Sequence, residues 1–159
     1  MMVDNPTGWR TIPEHERLAG RIGRQAILVA WRHGWVPHSE RVVAGLLLTD
    51  GRVQRRLNRK FRGIDRSTNV LAFAMPVAES AQISLGEVSL ALGTLLREAR
   101  QQRKSPAAHF CHLVAHGLFH LLGYDHLRRK DAKEMEELER LALASLNIAD
   151  PYREPLEAR

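Results

Sequence analysis

Apolar residues recur at intervals of three and four from Glu14 to about Arg32, at Leu18, Ile22, Ala26 or Ile27, and Val29 or Ala30. This spacing predicts an amphipathic helix ending near Gly34. Val42 to Leu48 is a short apolar run rich in β-formers and halted by Asp50-Gly51, the pattern of a buried strand followed by a turn. Asp50 is placed to cap the next segment, GRVQRRLNRKFRG. There Val53, Leu57 and Phe61 form one stripe, with Arg52, Arg55, Arg56 and Arg59 around the opposite side, so a helix with a basic face is expected. Asn69 to Met75, closed by Pro76, and Gly86 to Leu92 predict two further strands with a polar loop between them. Two helices follow, over roughly 91–103 and 106–122, separated by Lys104-Ser105-Pro106, where Ser105 can cap and Pro106 suits a first helical turn. A last helix spans Asp131 to Leu146, with Met135, Leu138, Leu141 or Ala142, and Ser145 at helical spacing and Asp131 and Glu134 placed like a capping box. Residues 1–13 carry Pro6, Gly8 and Pro13 with few apolar residues in series and read as a loose arm; residues 148–159 read as a C-terminal tail.

At 159 residues the chain has the size of one domain, which should bury about two-thirds of the surface its unfolded form exposes. Hydrophobic residues at 44% and charged residues at 26% exclude wholesale disorder. No apolar run reaches the 18 or so residues of a membrane span, and the start lacks a basic region followed by an apolar one, so neither a membrane partner nor export is expected. The single cysteine, Cys111, lies among apolar helical residues and points to a core position in a reducing compartment, with no disulfide-linked partner. Lys plus Arg outnumber Asp plus Glu by 24 to 18, a net charge of +6 that favours a polyanionic partner.

The chemistry concentrates between His116 and His126, in HGLFHLLGYDH. Residues four apart on a helix share a face about 6 Å apart along the axis, so His116 and His120 can turn imidazole nitrogens toward one cation. Further along the same helix a third ligand would be out of reach, since eight residues of rise carry it about 12 Å from the first. Gly123 can enter a left-handed helix terminus without steric penalty and let His126 swing back. Three protein ligands leave the fourth position of a tetrahedral ion open, the arrangement of catalytic sites, and imidazole ligation suits zinc best, one ion per chain, although copper, nickel or iron would also accept imidazoles. Such an ion lowers the pKa of bound water toward neutrality and polarises phosphoryl or carbonyl oxygens.

The remaining histidines carry less. His112, one turn before His116, is expected to pack beside the site or hold a hydrogen bond to it, and His109 is expected at the surface. His15, His33 and His38 belong to no constellation. The spacing is shared with the extended zinc-peptidase pattern HExxHxxGxxH, but Gly117 stands where those enzymes place the glutamate that takes a proton from zinc-bound water. Peptide hydrolysis would need a carboxylate from elsewhere; Asp125 is one candidate, which can equally cap the turn or orient a ligand, and Glu87 is another.

HGLFHLLGYDH, with LNRKFRGIDRSTNVLAF upstream and LGEVSLA between them, closely resembles the YbeY family of metal-dependent endoribonucleases, over roughly residues 40–146. YDH followed by Met135, Glu139 and a final helix is similar to the family too. The resemblance implies a zincin-like α+β single domain, a small mixed β-sheet packed with helices, whose metal-binding helix ends at a Gly turn. It implies a cytoplasmic enzyme acting on ribosomal RNA in small-subunit 3′-end maturation and ribosome quality control, with the small subunit and assembly factors as partners. It also implies zinc on His116, His120 and His126, and a functional role for Arg62, which could hold a scissile phosphate or neutralise charge gathering in its transition state. The chain departs from the family in having Asn69 and Glu87 where aspartates are usual, and the strand the family places ahead of its first helix is not legible in residues 1–13.

Arg52, Arg55, Arg56, Arg59 and Lys60 lead directly into Arg62 and Arg66, so the densest positive charge is expected to form an RNA-binding groove next to the phosphate ligand. Aromatics make up 6%, which limits base stacking and leaves recognition to backbone charge and RNA shape. The charge pattern favours RNA over peptide, and with it the resemblance implies a single-strand-specific, zinc-dependent endoribonuclease. Two other readings fit the same sequence: an RNA-binding ribosome-assembly factor with structural zinc, and a metallohydrolase acting on another substrate.

Overall fold

The computed structural model describes residues 6–35, 41–76 and 82–153. In chain order the elements are α1 (Pro6–Trp9), α2 (His15–Arg32), β1 (Val42–Thr49), α3 (Gly51–Arg62), β2 (Val70–Ala74), β3 (Ile83–Ala91), α4 (Leu92–Gln101), α5 (Pro106–Leu121) and α6 (Arg129–Ala144). The strands form one mixed sheet in the order β1-β3-β2, β3 running parallel to β1 and antiparallel to β2. Val88 in the middle of β3 lies between Leu46 of β1 and Ala72 of β2. This is the α+β, zincin-like arrangement expected, and each long helix and strand begins and ends within a few residues of its predicted bounds.

The local signals act as their chemistry requires. Asp50 accepts hydrogen bonds from the amides of Arg52 and Val53 at 2.8 and 2.9 Å, and Ser105 accepts from the amide of Ala108 at 3.1 Å with Pro106 opening α5. The expected capping box on the last helix does not form: α6 begins at Arg129, so Asp131 lies inside its first turn, where its charge favours the helix dipole.

Tertiary packing overrides two further expectations. The arm is not loose at its end, because Trp9 and Ile12 are fully buried and the Trp9 ring meets Phe110 of α5 edge-on at 5.9 Å. Two apolar residues among prolines and glycines are too few to show a period, yet they close one end of the core. On α3 the buried positions are Gln54 and Asn58, one residue round from the apolar stripe; Val53 and Leu57 are half-buried and Phe61 is 56% exposed. The reason is polar matching: Gln54 donates to the carbonyl of Ser89 on β3 at 3.1 Å, and Asn58 donates to the carbonyl of Arg66 at 2.8 Å. Phe61 instead lies against Phe73 of β2, ring centres 5.0 Å apart.

α5 carries the core. Phe110, Cys111, Leu113, Val114, Ala115, Leu118 and Phe119 are buried, and the helix packs on β2, β3, α2 and α6. Its approach to the sheet is closest at Gly117, where a Cβ would stand 2.5 Å from Cγ1 of Val88 and 3.3 Å from Cγ2 of Val70. Gly86 serves the sheet itself: its φ is +121°, and a Cβ there would meet the carbonyl oxygen of Phe73 at 2.0 Å. Gly117→Ala is expected to lower the stability of the fold by about 1–3 kcal/mol through overpacking. Urea unfolding checks this, and trimming the obstacle in a Gly117→Ala, Val88→Ala double variant should cost less than the two single losses added together.

Candidate metal centre

The three histidines converge as their spacing requires. α5 ends in a Schellman turn: the Gly123 amide donates to the His120 carbonyl at 3.1 Å and the Tyr124 amide to the Phe119 carbonyl at 3.0 Å, with Gly123 at φ +93°. The accompanying contact is Phe119 on Tyr124, ring centres 5.8 Å apart. The chain reverses, and the His126 ring comes to 4.9 Å from that of His120 and 5.6 Å from that of His116. One ring nitrogen from each of the three falls within 4.8 Å of the others. Asp125 shapes the turn by accepting from the amides of His126 and Leu127 at 2.6 and 3.2 Å.

Hydrogen bonds fix which nitrogens are available. Nδ1 of His116 donates to Oε1 of Glu139 on α6 at 2.7 Å, and Nδ1 of His120 donates to the carbonyl of Tyr124 at 3.1 Å. In neutral rings both Nε2 atoms then carry lone pairs, and they face each other at 3.1 Å. Two lone pairs at that distance repel unless a proton or a cation lies between them. The separation approaches the roughly 3.3 Å expected between two nitrogens each about 2.0–2.1 Å from a tetrahedral zinc. The donor set therefore fits such an ion.

The electrostatics keep the site ready to ligate. Burial, followed by the neighbouring rings of His116 and His126, pushes the His120 imidazole down to about 4, so it is neutral at physiological pH. Glu139 is fully buried. Burial alone would raise its carboxyl, but hydrogen bonds from His112 and His116 outweigh it and hold the group at about 2. His112 donates through Nε2 to Glu139 Oε2 at 2.8 Å, the supporting hydrogen bond expected of it. The expectation for His109 is corrected: it is 2% exposed, and its Nε2 donates to Glu98 Oε2 at 2.8 Å, placing it in a second buried network. Cys111 is buried, as expected. His15 and His33 bond the carbonyls of Ile12 and Val29, and His38 lies outside the described residues.

Glu139 was not visible as a site residue in the pattern of the sequence. Its signal is a carboxylate inside the apolar stripe of α6, flanked by Met135, Leu138, Ala142 and Leu143, all buried. A charge almost never occupies such a position unless it is paired.

Arg62 reaches this site from the end of α3. It lines a groove of about 400 Å³ together with His120, Tyr124, Asp125, His126 and Leu127. The other residues singled out are distributed differently. Arg52, Arg56 and Arg59 are exposed on α3, whereas Arg55 is bound to Asp65 in a two-pronged ion pair at 2.9 and 2.9 Å. Glu87 is exposed, and because strand residues alternate and Val88 faces Gly117, it points to the sheet face away from α5. Asn69 donates to both oxygens of Glu98 at 3.2 and 3.0 Å, so its amide joins the His109 network rather than the three histidines.

The family described as Endoribonuclease YbeY matches residues 32–147. Endoribonuclease YbeY of Paramagnetospirillum magneticum is 42% identical over 156 residues, covering 94% of this chain and 92% of that protein. The protein of the same name from Alkalilimnicola ehrlichii is 41% identical over 145 residues, covering 79% and 87%. The solution structure of TM1509 from Thermotoga maritima superimposes with a TM-score of 0.52 at 19% identity, covering 99% of this chain and 97% of that one, a likeness of fold.

His120 and Glu139 both bind protons more weakly folded than unfolded, where they would titrate near 6.5 and 4.5. Stability that they confer is therefore complete above those values and is lost as pH falls, between 6.5 and about 4 for His120 and between 4.5 and about 2 for Glu139. Metal-free protein is expected to lose on the order of 2 kcal/mol between pH 7 and pH 4 through His120. Denaturant midpoints across that range measure it, and His120→Asn should flatten the curve.

Proposed function

The chain belongs to the endoribonuclease YbeY family, and from that premise we propose that it is a zinc-dependent endoribonuclease that cleaves single-stranded RNA in ribosomal RNA processing. Its place is small-subunit 3′-end maturation and ribosome quality control in the cytoplasm, with ribosomal RNA, the small subunit and assembly factors as partners. The observation that carries the reading is the meeting of Arg62 with His120 and His126 in one groove, although they come from separate elements. A permanently charged guanidinium in the same groove as His120 and His126 would serve as a phosphate ligand next to a cation site.

His116, His120 and His126 would hold the ion. When bound, it supplies a Lewis acid for water and for phosphoryl oxygens. Arg62 takes a non-bridging oxygen of the scissile phosphate and stays paired with it as negative charge accumulates there. Asp125 is the carboxylate among the residues lining the groove and is the candidate to accept a proton. Glu139 keeps His116 in the tautomer whose Nε2 is free. The exposed Arg52, Arg56 and Arg59 attract the flanking RNA backbone, while Arg55, neutralised by Asp65, contributes rigidity to α3 and its following loop.

Gly117 supports phosphate chemistry over peptide hydrolysis for a reason beyond the missing base. Its Cα faces Val88 on the sheet, so no longer side chain could occupy that position without moving the helix. No helix among the described residues is long and apolar enough to cross a membrane, in keeping with a water-borne substrate.

Metal analysis of the purified protein, with cleavage of single-stranded and duplex RNA, tests the proposal. Wild type should carry one zinc and cut the single strand. His120→Ala should lose both metal and cleavage, and Arg62→Ala should keep zinc and RNA binding while losing about 100-fold or more in cleavage rate. Zinc-free protein that still cuts RNA overturns the mechanism. Unchanged processing by Arg62→Ala favours the assembly factor, and cleavage of unstructured protein but not RNA favours a different hydrolase.

A further inference from the structure

We propose that Tyr152, in the segment after α6, is a positioning residue of the metal centre, acting on His116 through Glu139. The inference rests on the metal-dependent reading above and extends the site beyond residue 147, where the match to the family model ends.

The Tyr152 hydroxyl donates to Oε2 of Glu139, the oxygen that also receives the His112 Nε2 proton, and it stands 3.3 Å from that nitrogen. Glu139 thus has three donors: His116 on one oxygen, His112 and Tyr152 on the other. The carboxylate is fully buried. A buried carboxylate keeps its charge and its orientation only while donors replace the water it has lost. Two of its donors, His112 and His116, come from α5; the remaining one comes from a segment more than ten residues away in the chain. Removing Tyr152 leaves Oε2 with a single donor, and the carboxylate is freer to turn away from Nδ1 of His116.

The segment is built to hold that hydroxyl in place. The Tyr152 amide donates to Asp150 Oδ1 at 2.9 Å, and Nε of Arg140 donates to both oxygens of Asp150 at 3.2 Å. The guanidinium of Arg140 lies 5.2 Å from the centre of the Tyr152 ring. On the other side the ring meets His112 edge-on, centres 5.4 Å apart at 82°. Lys104, in the turn before α5, donates to the carbonyl of Pro151. Tyr152 is therefore fastened to α6 and to α5 at once, with its ring at the surface and its hydroxyl against a carboxylate inside. The residues read as the start of the C-terminal tail, from 148 on, are thus tied to the core as far as Tyr152.

Zinc-loaded Tyr152→Phe tests the assignment, since it keeps the ring and removes the donor. Zinc release to a chromophoric chelator is expected to be about tenfold faster than from wild type, the lower end of what removing a supporting partner of a metal ligand produces. The nitrogen resonance of His116 Nδ1 should shift in the zinc-loaded variant, while that of His120 Nδ1, which donates to a backbone carbonyl, should stay in place. Release within twofold of wild type overturns the proposal. Equal shifts at His116 and His120 overturn it as well, because they mean general loosening rather than an effect through Glu139. Wild-type protein that carries no zinc overturns both this inference and the metal-dependent reading, whereas zinc-loaded wild type with an indistinguishable Tyr152→Phe overturns this inference alone.

Discussion

The seating of α5 on the sheet at Gly117 is the contact from which the rest of the architecture follows. With no side chain at that position, the helix axis lies close enough to β3 for Val88 to occupy the space a Cβ would need. Among the described residues the same helix carries more of the buried apolar residues than any other element, so this one approach sets the depth of the core, the position of α2 and α6 against it, and the height of the histidines above the sheet. The glycine one residue after His116 is thus a packing device. It also explains why a base next to the first histidine is absent: the sheet is where such a side chain would have to begin.

Once the helix is placed, the metal centre is a problem of holding lone pairs toward one another. Neutral imidazoles can present either nitrogen, and only a partner for Nδ1 decides which. α6 provides that partner for His116 through Glu139, and the Schellman turn provides it for His120 through the Tyr124 carbonyl. The two solutions differ in kind. The turn is local and comes with Gly123, while the carboxylate is brought from a separate helix and needs donors of its own to remain charged in a dry interior. The stability of the core and the readiness of the site are therefore linked at Glu139, which belongs equally to both.

Arg62 completes the site from the far side of β2. α3 packs on the sheet through Gln54 on Ser89 of β3 and Phe61 on Phe73 of β2, and at its end the arginine lines the groove that the histidine turn borders. The buried amides of Gln54 and Asn58 fix the rotation of α3 about its axis. That rotation decides which cations face solvent and which, like Arg55, are neutralised by the following loop.

By itself the sequence determined the helices and strands whose periods run long enough to be counted, the caps at Asp50 and Ser105, and the grouping of His116, His120 and His126 as candidate ligands. These features depend on neighbours within ten residues along the chain, and local chain geometry relates them. The resemblance carried by the histidine motif and the segment around Arg62 added the role proposed for that arginine. Tertiary structure alone decided that Trp9 and Ile12 belong to the core, that Gln54 and Asn58 rather than the apolar stripe are the buried face of α3, and that His109 is interior. It alone brought Glu139 and Tyr152 to the metal centre, across 23 residues from His116 and 13 residues from Glu139 respectively. In each case the deciding partner is distant in the chain, and burial of a polar group has meaning only once that partner has arrived to satisfy it.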